Sequence, residues 1–148
     1  MRTLLISLLA ALLALGTSTV TAGETAGYGI QKVVYHVNFD DPKRQKGALR
    51  NIQNHINAVG KENLDLRVVM HGNGLSLLMR ANEDMNFQST VLNLKQQGIG
   101  FKVCENTLKG RKINYETQLF EVDKSDIVPS GVAEIAHLQQ QGFAYVKP

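Results

Sequence analysis

Hydrophobic and polar residues follow two different periods along the chain. Near-continuous apolar runs, rich in β-branched residues, are typical of strands that are covered on both faces. Between these runs, apolar residues recur every three or four positions, as expected of amphipathic helices. The pattern predicts strands over residues 32–37, 64–70, 99–103, 125–128 and 143–146.

The helical pattern predicts helices in the connections between these strands. Asp41 is a suitable N-cap in front of Pro42, and Ser130 is a suitable N-cap for the last helix. For residues 115–122 the pattern does not decide between helix and irregular structure. Because strands and helices alternate, we expect an α/β fold with a mostly parallel sheet and helices on both faces. The helices are predicted at 42–59, 75–79, 86–97 and 131–141, with a helical turn at 106–109.

The first 22 residues have the pattern of a secretory signal peptide. Arg2 precedes an apolar run from 4 to 15, and small residues lead to Ala22, where cleavage is expected. The alternative is a retained membrane anchor, for which the apolar run is short. The sequence therefore predicts a signal peptide at 1–22, a domain at 23–148, and a periplasmic or secreted protein.

The charge balance and the cysteine content limit which classes of function the sequence favours. The chain of 148 residues has 16 basic and 13 acidic residues, and removal of Arg2 with the signal peptide leaves it nearly neutral. Lysine and arginine do not cluster among aromatic residues, so nucleic acid is not an expected partner. Cys104 is the only cysteine, and it is therefore either buried and inert or free to react.

Polar residues follow the predicted strands at the edge of the sheet where parallel α/β proteins bind ligands. They could also be ordinary loop residues. The residues at these strand ends are His36, Asn38, Asp40, His71, Asn73, Cys104, Asn106 and Ser130.

Cys104 is the strongest candidate for chemistry because it lies where a strand ends and a helical turn begins. A helix start presents free N–H groups and a partial positive charge, which favour a thiolate. The alternative is a buried cysteine that packs as a small hydrophobe. His71 could supply a proton or a positive charge if its strand end lies beside Cys104. His36 lies within an apolar strand, where a buried structural histidine is as plausible as a functional one.

Other chemistries have less support. The sequence Gly72-Asn73-Gly74 lacks the lysine of a P-loop and the spacing of a dinucleotide motif. No G-x-S-x-G nucleophile elbow is present. His36, His71 and Cys104 could bind a metal by composition, but no paired ligand spacing supports a metal site. We therefore predict neither a metal nor a cofactor.

Four segments resemble the DsrE/DsrF-like family, and the resemblance extends over nearly all of residues 23–148. It implies a three-layer α/β/α sandwich around a parallel five-stranded sheet. It also implies that Cys104 accepts sulfur as a persulfide and passes it on, with sulfur donor and acceptor proteins or small thiols as partners. Family assemblies make a homo-oligomer plausible. The segments are VMHGNG (69–74), GIGFKVCENTL (98–108), VPSGVAEI (128–135) and QGFAYVKP (141–148).

Three functional hypotheses follow. The first is a sulfur carrier in which Cys104 holds sulfane sulfur while His71, Asn73, Asn106 and His36 line its pocket. The second is a non-catalytic module of the same fold that binds a small ligand or a metal and has a buried cysteine. The third is a structural subunit of an oligomer. The first two differ in whether water and reagents reach the sulfur of Cys104.

Overall fold

The computed structural model describes residues 27–148, and the predicted signal peptide lies outside the described residues. The strands are β1 (Gln31–Val37), β2 (Leu64–Met70), β3 (Gly100–Cys104), β4 (Ile127–Val128) and β5 (Ala144–Val146). The helices are α1 (Pro42–Val59), α2 (Ser76–Glu83), α3 (Met85–Gln96), α4 (Glu105–Arg111), α5 (Tyr115–Gln118) and α6 (Gly131–Gln140).

The five strands form one sheet in the order β4-β3-β2-β1-β5, and every neighbouring pair is parallel. From β1 to β4 the chain always steps to the next strand in the same direction. Because parallel crossovers are right-handed, these connections all lie on one face of the sheet. The connection from β4 to β5 runs back across three strands, which places α6 on the opposite face. The predicted α/β/α sandwich is confirmed.

The core is divided by the sheet into two unequal parts. On one face, α1, α2 and α3 pack with alternate strand residues such as Val33, Val68 and Phe101. On the other face, Ile135 and Leu138 of α6 cover Val34 and Val69 together with Phe143. Successive strand residues point to opposite faces. On the face covered by α6, β1 and β2 are apolar at Val34 and Val69, which explains the continuous buried runs at 33–35 and 68–70.

Side chains cap the N-termini of helices α1 and α6. Asp41 accepts a hydrogen bond from the main-chain N–H of Arg44 at 2.6 Å, and Ser130 accepts one from Ala133 at 3.4 Å. Both caps were predicted from the sequence. Gln45 is fully buried in α1, where its amide group donates to Ser76 Oγ at 2.8 Å and to the carbonyl of Phe39 at 2.9 Å.

Several element boundaries differ from the prediction, most of them by one residue, and the helix predicted at 75–79 extends to Glu83. The strand predicted at 125–128 is only Ile127–Val128, because Lys124–Asp126 forms a 3₁₀ turn closed by the side chains of Asp123 and Asp126. The helical turn predicted at 106–109 begins one residue earlier and continues to Arg111, where Lys112 leaves the helix in a left-handed conformation with φ of 55°. Cys104 is consequently both the last residue of β3 and the N-cap residue of α4.

Candidate functional site

A row of four side chains crosses the carboxyl edge of the sheet on the face covered by α6. In sheet order it consists of Tyr145 on β5, His36 on β1, His71 directly after β2, and Cys104 at the end of β3. The register pairs Val34 with Tyr145, His36 with Val69, and Met70 with Val103. Since side chains alternate between faces, these pairings place all four residues on the same side of the sheet.

The sulfur of Cys104 is surrounded by hydrogen-bond donors. They are the side-chain hydroxyl of Thr107 and the main-chain N–H groups of Gly131, Thr107 and Asn106, the last of which also donates to the carbonyl of Pro129 at 3.3 Å. Burial raises the pKa of the Cys104 thiol, but these nearby donors outweigh burial and lower its pKa below the ordinary value. Cys104 is only 5% exposed. Its surroundings are thus closed but polar, and they favour the thiolate.

Thr107 connects Cys104 to the loop that follows β2. The main-chain N–H of Gly72 donates to Thr107 Oγ1 at 2.9 Å. A hydroxyl group has a single proton, so an oxygen that accepts from Gly72 can direct that proton to the sulfur. The position of Thr107 in the first turn of α4 keeps the donor within reach of the N-cap residue.

Gly131 allows the first turn of α6 to approach the strand ends closely. A Cβ atom on Gly131 would lie 2.9 Å from His71 Cβ and 3.3 Å from Cys104 Cβ, closer than packed carbon atoms normally approach. His71 Cδ2 would lie 3.4 Å from the same point. His71 and Cys104 therefore contact the same residue of α6 from two neighbouring strands. The N–H of Gly131 reaches the sulfur because the residue has no side chain.

His36 and His71 form a directly hydrogen-bonded pair. Their Nε2 atoms are 2.7 Å apart, and the two rings stack with centroids 4.8 Å apart and an interplanar angle of 27°. His36 Nδ1 lies 2.7 Å from the hydroxyl oxygen of Tyr145. Burial, Lys147 and His71 together lower the pKa of His36 to about 4, and burial and Lys147 lower the pKa of His71. Both rings are therefore neutral near pH 7.

The C-terminal residues add positive charge beside the histidines. Lys147 Nζ donates to the side chain of Asn38 and to the carbonyl of His36, the latter at 3.4 Å. Arg44 on α1 donates to the carbonyl of Pro148 at 3.1 Å. The two cations also lie over the ring of Phe39, at 3.9 Å for Arg44 and 5.2 Å for Lys147. These contacts hold the end of the chain against the site.

The predicted site residues are only partly brought together. His36, His71 and Cys104 lie in the row, and the main-chain N–H of Asn106 helps to lower the pKa of Cys104 while it donates to the carbonyl of Pro129 at 3.3 Å. The side chain of Asn73 does not contribute to the sulfur environment; it is exposed, and its Oδ1 accepts from Arg111 at 2.7 Å. Asn73 therefore holds α4 against the loop after β2. The sequence left the exposure of Cys104 open, and in the structure its side chain is buried because the first turn of α6 covers the end of β3.

Four contributing residues were not identified from the sequence: Thr107, Gly131, Tyr145 and Lys147. Thr107 lies three residues after Cys104, the spacing at which an early helical residue faces the N-cap. Tyr145 could have been found from strand alternation, because it lies on the same face as Val34 once β5 pairs with β1. Gly131 and Lys147 have no local signal, since their roles depend on contacts between distant elements.

Metal and cavity features do not coincide with this row. Within residues 27–148, no group of three or more histidine, cysteine or acidic side chains is placed to hold a metal ion. A cavity of about 550 Å³ lies between α1 and α3, on the opposite face of the sheet, where Lys46, Arg50 and Phe87 line it.

Across residues 27–148, no helix has the length and apolar character needed to cross a membrane.

The family assignment rests on a comparison that covers most of the chain. A sequence model of the DsrE/DsrF-like family matches residues 32–148. The chain belongs to this family. Sulfur relay is a frequent function of DsrE-like proteins, and the resemblance noted above is confirmed at this level. Residues 27–148 show no features of a nucleic-acid-binding surface.

Two solved structures share the fold of this DsrE-like chain. A protein of unknown function, MTH1491 from Methanobacterium thermoautotrophicum, has 31% sequence identity and a TM-score of 0.68, with 80% of this chain and 99% of that chain covered. The ychN protein from E. coli has 21% identity and a TM-score of 0.61, with 80% and 100% coverage, and shows similarity of fold alone. No curated protein matches the chain significantly in sequence.

Proposed function

We propose that this protein is a sulfur carrier in which Cys104 accepts sulfane sulfur as a persulfide and passes it to an acceptor thiol. The supporting observation is that polar groups of Thr107, Gly131 and Asn106 lie around one buried sulfur atom and lower the pKa of its thiol. A purely structural cysteine has no need of such donors, because a neutral thiol packs well in an apolar environment. Sulfur relay is also frequent among DsrE-like proteins.

The proposed reaction is a nucleophilic displacement at sulfur. The Cys104 thiolate attacks the outer sulfur of a donor persulfide, and a new S–S bond forms. The S–S bond of the donor breaks, and its electron pair leaves on the donor sulfur. The proton of the donor persulfide moves to this leaving thiolate, which departs as a thiol. Cys104 then carries a persulfide anion, whose charge the donors around Sγ can stabilise.

Burial of Cys104 has two consequences for this proposal. It protects a persulfide from oxidants in solvent. It also means that a donor must reach a sulfur that is only 5% exposed, which requires an opening between α6 and the loop after β2.

The same burial favours the alternative function, a non-catalytic binding module with an unreactive cysteine. Titration of thiols in the native protein separates the two, since a module of that kind reacts only after denaturation.

The direct test is to load the protein with sulfur. Incubation with a small persulfide such as glutathione persulfide, followed by intact mass measurement, should show one added sulfur atom per chain. Reducing agent should remove it, and the Cys104→Ser variant should not acquire it. The replacement keeps the size of the side chain, so circular dichroism should confirm an unchanged fold. A wild-type protein that stays unmodified under conditions that modify a free peptide thiol would contradict the carrier function.

The setting of the carrier is also part of the proposal. We infer export after removal of residues 1–22, donor and acceptor partners that are proteins or small thiols, and assembly into a homo-oligomer. The resemblance to relay proteins supports the partners and the assembly, and the N-terminal sequence pattern supports export. Sequencing the N-terminus of the mature protein would test cleavage after Ala22, and analytical ultracentrifugation would test self-association.

A further inference from the structure

The row of side chains that crosses the sheet edge is a continuous hydrogen-bonded path that ends beside Cys104. It begins at the hydroxyl of Tyr145, a residue that is 43% exposed. It continues through the two nitrogens of His36 to Nε2 of His71, with 2.7 Å at each step. His71 and Cys104 then both contact Gly131. The path therefore joins solvent to the neighbourhood of the sulfur.

We propose that Tyr145, His36 and His71 form a proton wire that carries protons between solvent and the thiol that exchanges sulfur with Cys104. This inference rests on the proposed function and concerns the movement of protons during sulfur exchange. It assigns a role to Tyr145 and explains why His36 and His71 are paired. No hydrogen bond joins His71 to the sulfur, so the exchange partner of His71 is the incoming thiol.

The hydrogen bonds of the row allow two proton arrangements. In the first, His71 Nε2–H donates to His36 Nε2, and His36 Nδ1–H donates to Tyr145. In the second, the Tyr145 hydroxyl donates to His36 Nδ1, and His36 Nε2–H donates to His71 Nε2. The heavy-atom distances fit both arrangements, because either member of each pair can be the donor. A switch from the first to the second takes up one proton at Nδ1 of His71 and releases one from the Tyr145 hydroxyl to solvent.

Sulfur transfer requires this movement. An acceptor thiol R–SH gives its proton to Nδ1 of His71, and the resulting thiolate attacks the outer sulfur of the Cys104 persulfide anion. A bond forms between R–S and the outer sulfur, the bond between the outer sulfur and Sγ breaks, and its electron pair remains on Sγ. The products are R–S–S⁻ and the Cys104 thiolate. One proton is released, and the wire delivers it through Tyr145 to water. Sulfur uptake from a protonated donor persulfide needs no proton from the wire, because the proton of that persulfide leaves with the donor thiol.

The charges around the histidines keep the wire in its neutral, conducting form. A doubly protonated pair would have a proton on both Nε2 atoms and could not keep their 2.7 Å hydrogen bond. Burial and the Lys147 ammonium lower the pKa of both rings, which prevents this near pH 7. The other titratable members of the row are Tyr145 from β5 and Cys104 from β3, and Arg111 from α4 lies beside the row near Gly72 and Asn73. From α6 the row faces Gly131, which has no titratable group.

The position of the row in the topology supports a role in chemistry. The connection from β1 runs to β2 on one face of the sheet, whereas β5 is reached through α6 on the other face. The carboxyl ends of β1 and β5 therefore flank the point where the winding direction reverses, and α/β proteins bind ligands in the crevice at this point. His36 and Tyr145 lie on these two strands.

The test uses single-turnover sulfur transfer from the persulfide-loaded protein to free cysteine, whose thiol has a pKa of about 8.5. At pH 6.5 the Tyr145→Phe variant should transfer sulfur about tenfold more slowly than the wild type, because the wire no longer reaches solvent. At pH 9.5 the acceptor is already a thiolate, and the two proteins should agree within about twofold. The fold should be unaffected, since Tyr145 lies at the surface.

A second variant and a matched control complete the experiment. His36→Gln interrupts the wire in its centre and should show the same loss at pH 6.5 and the same recovery at pH 9.5. His137→Gln removes an exposed histidine of α6 that bonds only to Gln141 at 2.9 Å among the described residues, and it should behave as wild type at both pH values. The solvent deuterium isotope effect at pH 6.5 should be larger in the wild type than in either wire variant.

The outcomes distinguish this inference from the proposed function. If the wild type loads sulfur but Tyr145→Phe and His36→Gln transfer it as fast as wild type at pH 6.5, the wire is wrong and the carrier stands. A loss of equal size at both pH values would indicate a structural role of these residues and would also overturn the wire. If wild-type Cys104 takes up no sulfur, the carrier function fails, and the inference fails with it.

Discussion

Thr107 has the most specific influence on Cys104 at the scale of single residues. Its hydroxyl is oriented by the N–H of Gly72 and directed to the sulfur, whereas the main-chain donors depend only on the path of the backbone. A hydrogen bond to a charged group is worth about 1.5–3 kcal/mol. Since 1.4 kcal/mol is a factor of ten, loss of this bond should change the thiolate fraction about tenfold. We therefore expect Thr107 to tune the reactivity of Cys104.

The Thr107→Val replacement tests this role, because it removes the hydroxyl and keeps the shape. We expect the pKa of Cys104 to rise and the rate of alkylation by iodoacetamide near pH 7 to fall about tenfold. The pH dependence of that rate gives the thiol pKa directly. Thr107→Ser retains the hydroxyl and should keep a profile close to wild type. Identical profiles for the valine and wild-type proteins would show that the main-chain donors suffice.

At the scale of elements, the site depends on how α6 meets the carboxyl ends of β2 and β3. α6 packs on the sheet through Ile135 and Leu138, and its first turn lies against His71 and Cys104 through Gly131. The same approach buries the sulfur and brings the N–H of Gly131 to it. An added methyl group at this point cannot be accommodated without a shift of α6 or of His71.

The Gly131→Ala replacement should therefore affect both stability and thiol chemistry. Overpacking of this kind costs about 1–3 kcal/mol, measurable as a lower free energy of unfolding in urea. Displacement of α6 should also weaken the Gly131 hydrogen bond and raise the pKa of Cys104. Gly47→Ala is the matched control, since a Cβ there has no neighbour within 4 Å and lies inside α1. It should stabilise the protein by about 0.5–1 kcal/mol. Equal effects of both replacements would contradict this account of the packing.

At the scale of the whole molecule, the histidine pair couples folding to acidity. His36 has a folded pKa of about 4 and an ordinary value of 6.5. Between these values the unfolded chain binds a proton that folded His36 does not bind, so stability falls as the pH falls. His71 contributes in the same direction, because its pKa is also lowered. Below about pH 4 folded His36 is protonated as well, so it no longer contributes to the pH dependence of stability.

Thermal unfolding from pH 7 to pH 4 measures this coupling. We expect the wild-type Tm to decrease over this range, and we expect a smaller decrease in His36→Gln, which has no titratable group at that position. The difference between the slopes of Tm against pH for wild type and His36→Gln removes the contribution of carboxylates, because that contribution is common to both proteins. Parallel slopes would show that His36 titrates alike in the folded and unfolded chains.

The elements of the fold were predictable because their signals are local. Asp41 with Pro42 marks the start of α1, and the apolar runs at Val33 and Val68 mark β1 and β2, since each pattern follows from the period of one element. The strand at 125–128 was predicted too long, because Asp123 and Asp126 close a turn that the hydrophobic pattern does not reveal. Strand ends could likewise be predicted as the location of polar residues, which identified His36, His71 and Cys104.

The sequence by itself determined the alternation of strands and helices, the parallel sheet and the position of one cysteine at a strand end. Only the tertiary structure decided that Gly131 covers the sulfur, that Thr107 and main-chain N–H groups surround it, and that Tyr145, His36 and His71 form one hydrogen-bonded row. These contacts join residues up to 109 positions apart. Periodicity reports the faces of a single element, whereas strand order and helix packing decide which faces meet.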